Sequence, residues 1–151
     1  MFLKLPVLFT LLFCYFANVN AQQNTILIIA DDVSPDYFGC FSTTTDTAVT
    51  PNIRALANKA VRFSKVWASP VCSPTRAGIF TGRYSFRTGV GEVITNAASP
   101  QIDTAERSIA KLLKYYAPIK YNTACVGKWH LNNNQPSKRL YPNLMGYDFY
   151  S

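Results

Sequence analysis

Cys72 opens a short stretch whose residue types fit an anion site beside a reactive atom. Ser73 is a candidate N-cap, Pro74 suits the first helical position, and Gly82 suits the position just past the helix end. The predicted helix places Cys72 where backbone N–H groups point outward, which favours anions and thiolates. Arg76 adds a positive charge one turn later. The alternative interpretation is a buried structural thiol before an ordinary helix.

Two adjacent carboxylates form a second candidate site. Residues 25–30 are a continuous apolar, β-branched run, which predicts a parallel strand buried on both faces. Asp31 and Asp32 follow directly, at the carboxyl end of that strand, where ligands bind in open α/β sheets. Like charges side by side are costly unless a cation neutralises them. The pair therefore indicates a divalent-metal site or, alternatively, a solvated turn.

A third polar group follows another predicted buried strand, residues 121–126. Gly127 lets the backbone leave the strand, and the alternate residues Lys128 and His130 can then present a cation and an imidazole to one side. His130 is the only histidine of the chain. The pattern favours a functional pair, while the alternative is a solvated lysine beside a structural histidine.

Further elements must position these groups. A threonine and a proline at 50–51 predict the start of a helix with one apolar face, formed by Ile53, Leu56, Ala57 and Ala60. Residues 61–66 alternate with period two and predict a strand that leads towards Cys72. Asp103 and Glu106 have the spacing of a capping box for the helix that follows. Residues 89–100 have the composition of a loop, in which no site residue can be assigned.

The first 21 residues are predicted to be a signal peptide. Lys4 supplies a positive start, the apolar run at 5–16 is short for a bilayer span, and small residues precede a cleavage point after Ala21. The pattern predicts a secreted or periplasmic protein without a stable membrane anchor. The alternative is a retained anchor.

The remainder, residues 22–151, is long enough for one modest domain. It has 14 basic and 8 acidic residues, a balance that suits sulfate esters, phosphate esters or acidic polysaccharides. The chain has no lysine or arginine run and no nucleic-acid-binding motif, so we expect no nucleic-acid partner.

Three cysteines remain after the predicted signal peptide, an odd count that leaves at least one unpaired, modified or paired between chains. Whether Cys40 and Cys125 form a disulfide stays open.

Taken together, the motifs resemble those of the sulfatase family. The resemblance is carried by segments spread along the chain: I-I-A-D-D at 28–32, C-S-P-T-R at 72–76 with T-G-R at 81–83, G-K-W-H-L at 127–131 and G-Y-D-F at 146–149. The chain departs from the usual C-x-P-S-R signature by having Thr75 in place of serine. The resemblance implies an α/β, alkaline-phosphatase-like fold, a mostly parallel sheet flanked by helices, that is incomplete in this chain.

The resemblance also implies a modified nucleophile. In sulfatases a formylglycine-generating enzyme oxidises the signature cysteine, here Cys72, to an aldehyde. Its hydrate has two hydroxyl groups, of which one attacks the sulfur of a sulfate monoester and displaces the alcohol. The other then loses its proton, expels sulfate and regenerates the aldehyde. The implied substrate is a sulfated small molecule or a sulfated polysaccharide.

The same resemblance assigns roles to the other candidate residues. Asp31 and Asp32, together with the modified Cys72, are implied ligands of Ca²⁺, a cation suited to oxygen donors. Arg76 would fix the formylglycine. Lys128 would bind a sulfate oxygen, and His130 would orient or deprotonate the hydrate.

Two other interpretations stay open. One is a phosphate or phosphonate ester hydrolase of the same superfold. The other is a truncated, non-catalytic product that only binds anions. This second interpretation arises because sulfatases have further functional residues, namely metal ligands, a histidine and a lysine. In those proteins they follow the position that corresponds to Ser151. We therefore expect residues 22–151 to be the amino-terminal part of a sulfatase catalytic domain, inactive by itself.

Overall fold

The structure is a computed structural model that describes residues 24–41, 45–133 and 139–151. Within these ranges the α-helices are α1 (Pro51–Ala57), α2 (Cys72–Thr81), α3 (Ile109–Tyr115) and α4 (Tyr141–Leu144). Short 3₁₀ turns cover Pro35–Tyr37 and Ser85–Arg87, and the strands are β1 (Ala124–Cys125) and β2 (Phe149–Tyr150). The predicted signal peptide lies outside the described residues. None of the described helices has the length and apolar character needed to span a bilayer.

An aromatic cluster joins the two signature segments. Trp129, 4% exposed, stacks on Phe80 of α2 with ring centroids 5.2 Å apart, and both rings pack nearly perpendicular to the ring of Tyr147. Such pairs add to the free energy gained by burying the rings. The rest of the buried apolar core packs around this cluster: Ala77, Val90, Ile94, Ile102, Ala110, Leu131 and Met145. The core therefore holds α2 against the segment that carries Lys128 and His130.

Helix α2 ends as predicted but begins differently. Gly82 is the C-cap, with a left-handed φ of +67° that glycine adopts at little cost. The N-cap is Val71, so the prediction of Ser73 as the cap is wrong. Ser73 lies inside the first turn, where its Oγ accepts a hydrogen bond from the backbone N–H of Ile94 at 3.2 Å. The Ser73 hydroxyl therefore makes a tertiary contact with Ile94 instead of capping the helix.

The third helix also begins later than its sequence signal suggests. Its N-cap is Ser108, whose Oγ accepts from the N–H of Lys111 at 3.1 Å. Asp103, the predicted cap, instead accepts from the N–H of Ala105 at 2.8 Å and closes a local turn. The capping-box prediction is therefore wrong, although the helix itself is present.

The predicted apolar face of α1 is largely exposed. The helix begins at Pro51 after Thr50, as the sequence predicts. Ile53 and Leu56 nevertheless keep 41% and 66% of their surface in solvent. The start signal of this helix is local, whereas its burial depends on a partner that none of the described residues provides.

Only a small part of the predicted sheet is present among the described residues. Strands β1 and β2 pair in parallel, with Ala124 opposite Phe149. Residues 25–30 and 61–66 are not strands, and Ile26 and Ile28 are each 84% exposed. A strand requires a neighbour for its N–H and C=O groups, and no described residue forms a ladder with either segment. The predictions of a buried strand at 25–30 and of a strand at 61–66 are wrong for this structure.

Asp148 fastens β2 to the elements beside it. Its carboxylate accepts hydrogen bonds from Lys114 Nζ at 2.7 Å, from the Thr123 N–H at 2.9 Å and from Thr123 Oγ1 at 3.0 Å. The bond from Lys114, followed by those from Thr123, lowers the pKa of Asp148 from 3.8 to about 2. Because the pKa is lower in the folded state, the carboxylate stabilises the fold above pH 3.8 and loses this contribution as the pH falls towards about 2.

We expect Asp148→Asn to remove part of the acid sensitivity of the fold. An amide does not titrate, so the slope of the unfolding free energy against pH should flatten between pH 3.8 and about 2. Urea unfolding followed by circular dichroism at several acid pH values measures that slope. The exposed Asp46 offers a control, and Asp46→Asn should leave the slope as in the parent chain. Equal slopes in the parent chain and Asp148→Asn would contradict the assignment.

Candidate active site

Cys72 and His130 meet although they lie 58 positions apart in the chain. Cys72 is the first residue of α2 and is half-buried, and its Sγ lies 3.1 Å from His130 Nδ1. The other ring nitrogen, Nε2, lies 2.8 Å from the carbonyl oxygen of Ile94. A carbonyl oxygen only accepts hydrogen bonds, so Nε2 carries the hydrogen. In the neutral form of the ring, the lone pair on Nδ1 then faces the sulfur.

Arg76, Asp31 and Lys128 form a charged cluster next to this pair. Arg76 lies one turn after Cys72 on α2 and is only 5% exposed. Its Nη2 lies 3.1 Å from Asp31 Oδ1, and its Nη1 donates to the carbonyl oxygen of Lys128. Lys128 Nζ pairs with the other carboxylate oxygen of Asp31. Three distant segments of the chain therefore meet through one carboxylate.

The cluster shifts the ionisation of its members. The hydrogen bond from Lys128, followed by that from Arg76, lowers the pKa of Asp31. In return, the hydrogen bond to Asp31 raises the pKa of Lys128. Both groups are thus charged at neutral pH, as is the guanidinium of Arg76. Two positive charges against one negative charge leave this cluster with an excess of positive charge.

Backbone conformation marks two of the predicted site residues. Among the described residues that are not glycine, Asp32 and His130 adopt positive φ angles, 56° and 54°. Such conformations cost about 1–3 kcal/mol and persist where surrounding contacts impose them. For His130 those contacts are visible, because its neighbours Trp129 and Leu131 are buried and both ring nitrogens are engaged. Gly127, with φ of +92°, provides the turn out of β1 that the sequence predicts.

Thr75 stands where the usual signature has serine, and its hydroxyl group makes structural hydrogen bonds. Thr75 Oγ1 lies 3.1 Å from the carbonyl oxygen of Ser69 and 3.0 Å from that of Val71. Its single hydrogen is donated to one of these carbonyls or shared between them, and this contact ties the first turn of α2 to the loop that leads into Cys72. A serine could make the same contacts, so the substitution leaves this local arrangement unchanged.

The described residues do not complete a calcium site. Within residues 24–41, 45–133 and 139–151, no three His, Cys, Asp or Glu side chains are grouped closely enough to hold a metal ion. Both carboxylate oxygens of Asp31 contact cations of the protein, and Asp32 is exposed. Ca²⁺ takes about six to eight oxygen ligands, far more than this pair provides. The donor set therefore does not fit the ion without further ligands.

The cysteines differ in their surroundings. Cys40, Cys72 and Cys125 are all free thiols, so the alternative of a disulfide between Cys40 and Cys125 is not realised in this structure. Burial raises the pKa of Cys125 and keeps that thiol protonated. Among these three, it is Cys72 that contacts the imidazole.

The structure brings together most of the residues predicted from the sequence. Cys72 contacts His130, and Arg76 and Lys128 contact Asp31, whereas Asp32 remains in solvent. Sequence reasoning missed Ile94, which acts through its main-chain groups. A backbone contact leaves no residue-type pattern in a sequence, so nothing in the predicted loop at 89–100 pointed to it.

Comparison with known proteins identifies the family. The sulfatase family profile matches residues 23–151. The chain is 37% identical over 145 residues to steryl-sulfatase of Homo sapiens and 34% identical over 162 residues to arylsulfatase D of Homo sapiens. These alignments cover 89% and 97% of this chain but 24% and 26% of those proteins, so the chain spans about a quarter of their length.

A solved structure also aligns with part of the chain. It is the crystal structure of Ps i-CgsB in complex with k-i-k-neocarrahexaose. The alignment covers 54% of this chain and 17% of the Ps i-CgsB chain, with 33% identity and a TM-score of 0.44. The family profile spans the candidate site from Asp31 to His130. On the match of that profile to residues 23–151, the chain belongs to the sulfatase family.

Proposed function

We propose that the chain forms part of a sulfuric ester hydrolase whose nucleophile is made at Cys72. The observation that carries this proposal is the contact of 3.1 Å between Cys72 Sγ and His130 Nδ1, beside the buried Arg76. A group at position 72 thus has a proton acceptor on one side and fixed positive charge close by. This combination suits attack on an anionic ester.

Formylglycine at position 72 would supply a hydrated aldehyde, whose hydroxyl group is the nucleophile. The position fits the modification, because Cys72 is half-exposed and its side chain already reaches the imidazole. His130 Nδ1 would accept the hydrogen of that hydroxyl group. Nε2 cannot do so, since its hydrogen is donated to Ile94.

The two cations would share the negative charge of the substrate. Arg76 is held by Asp31 and by the carbonyl oxygen of Lys128, so its guanidinium stays fixed near position 72. Lys128 has a side chain that is 41% exposed and can turn from Asp31 towards a sulfate oxygen. Arg76 is already in place and lowers the barrier because it needs little reorganisation during the reaction, whereas Lys128 must first leave Asp31.

The calcium part of the proposal rests on the family resemblance and on the chemistry of the donors. Asp31 and Asp32 offer the hard oxygen ligands that Ca²⁺ prefers. Since the described residues provide too few ligands, we assign the ion no step in the reaction. Titration with Ca²⁺, followed through the amide signals of Asp31 and Asp32 in the parent chain and in Asp32→Asn, tests whether the pair takes part in binding.

The remaining elements of the proposal concern partners and location. The substrate class is a sulfate monoester, either a sulfated small molecule or a sulfated polysaccharide. The family match favours this class over the phosphate or phosphonate esters considered from the sequence. A formylglycine-generating enzyme is the required modifying partner, and the signal-like start of the chain supports a secreted or periplasmic protein.

We expect coexpression with a formylglycine-generating enzyme to convert most of Cys72 to the aldehyde. Mass spectrometry of the tryptic peptide 66–76 would show the loss of sulfur, and a hydroxylamine probe would label the product. Peptide 121–128, which contains Cys125, is an internal control and should keep its thiol. If Cys72 stays entirely unmodified, the proposed nucleophile is wrong for this chain. Modification is the chosen readout because the chain spans only about a quarter of its relatives.

A further inference from the structure

Ser73 makes a contact that neither the helix nor the proposed reaction requires. Its side chain is fully buried in the first turn of α2, and its Oγ accepts from the N–H of Ile94. The carbonyl oxygen of the same Ile94 accepts from His130 Nε2. Both main-chain groups of Ile94 are therefore committed to the site, one to the residue next to Cys72 and the other to the imidazole.

These contacts close a ring. It runs from Cys72 Sγ to His130 Nδ1, from Nε2 to Ile94, from Ile94 to Ser73 Oγ, and along the chain back to Cys72. We propose that Ser73 is a positioning residue that holds the Ile94 carbonyl against His130, and thereby selects the imidazole tautomer whose Nδ1 lone pair faces position 72. The catalytic meaning of this role rests on the proposed function.

The surroundings of Ile94 explain why an anchor is needed. Glu92 and Thr95 are exposed, so the loop has solvent on both sides of Ile94. The Ile94 side chain is 5% exposed and fixes the residue in the core, but a side-chain anchor leaves the peptide plane free to tilt. The bond to Ser73 removes that freedom. A carbonyl held in place accepts only from an N–H, so it disfavours the Nδ1–H tautomer of His130.

The tautomer is directly measurable because His130 is the sole histidine. The probe is the unmodified full chain labelled with ¹⁵N-histidine, examined by long-range ¹H–¹⁵N correlation, in which the two neutral tautomers and the imidazolium give distinct patterns. We expect one dominant pattern, with Nε2 protonated and Nδ1 bare. A dominant Nδ1–H pattern in the parent chain would overturn the proposal.

Substitution of Ser73 tests the positioning step. Ser73→Ala keeps the apolar anchor of Ile94 but frees its N–H. We expect the ratio of the Nδ1–H to the Nε2–H form to rise, by at most about fivefold, which is the change if the full energy of one ordinary hydrogen bond were transmitted to the tautomer equilibrium. Ser73→Thr keeps the hydroxyl and should restore the parent pattern. An unchanged tautomer ratio in Ser73→Ala would overturn the proposal.

Ser108→Ala is the matched control. Ser108 is also fully buried, and its Oγ also accepts a backbone N–H, that of Lys111. It should leave the tautomer ratio as in the parent chain, and an equal change in both variants would refute a role specific to Ser73. If Ser73→Ala fails to fold, amide exchange in the parent chain decides, because an Ile94 N–H that exchanges as fast as an unbonded amide refutes the contact.

This experiment is independent of the proposed function. It uses no sulfate ester and no formylglycine, so the tautomer result stands whether or not Cys72 is converted. Conversely, Cys72 can be converted in a chain whose tautomer does not depend on Ser73. The two proposals can therefore fail separately.

Discussion

Replacing Gly146 by alanine is expected to destabilise the chain by about 3 kcal/mol or more. Gly146 has φ of +100°, a conformation that side chains with a Cβ rarely adopt. An added Cβ would lie 2.8 Å from both the backbone nitrogen and Cγ of Lys111, and 3.2 Å from the carbonyl carbon of Ala110. Because part of this obstacle is backbone of α3, the structure cannot relieve the clash by turning a side chain.

The matched control is Gly89→Ala. Gly89 also has a positive φ, +77°, but an added Cβ there meets no atom within 4 Å. We expect a loss of about 1–2 kcal/mol from backbone strain alone. Urea unfolding of both variants measures the difference. Equal losses would show that the close approach between Gly146 and α3 is absent in solution.

Removing the guanidinium of Arg76 is expected to cost about 2–3 kcal/mol in the free energy of unfolding. Arg76→Ala leaves Asp31 and the Lys128 carbonyl oxygen without their buried partner. Breaking a fully buried ion pair costs about 3–5 kcal/mol, and the Asp31 side chain, 33% exposed, recovers part of this from water. The packing of the arginine stem against the core adds to the loss.

Arg83, at the other end of the same signature, provides the comparison. It pairs with Glu106, but its side chain is 46% exposed. We expect Arg83→Ala to cost no more than about 1 kcal/mol, as for other solvent-exposed ion pairs. Urea unfolding of the two arginine variants, side by side, tests this contrast. A loss in Arg83→Ala as large as that in Arg76→Ala would contradict the assigned difference in burial.

The features that could be predicted from the sequence are those with local signals. Gly82 ends α2 because a left-handed C-cap favours glycine, and Gly127 releases the chain from β1 for the same reason. The predicted α/β, alkaline-phosphatase-like class is confirmed, since it is the class of the family to which the chain belongs. The meeting of Cys72 with His130 followed from the resemblance and not from spacing.

The prediction of a buried strand was wrong because strand formation depends on contacts between distant residues. The apolar run at 25–30 has strand composition, but composition cannot supply the neighbouring strand, and Ile26 and Ile28 stay in solvent. The two N-cap predictions failed for different reasons. Ser73 accepts from the distant Ile94 N–H, whereas Asp103 accepts from the nearby Ala105 N–H in a turn and Ser108 caps α3 instead.

The place of Trp129 between Lys128 and His130 has a consequence for how this protein can vary. The indole lies between the residues that carry the ammonium and imidazole groups of the candidate site, and it packs on the same helix that begins with Cys72. A change of shape beneath it would displace both polar groups together rather than one at a time. In the proposed reaction, binding of the sulfate and transfer of the proton would therefore depend on the same core residue, which has no proposed role in either step.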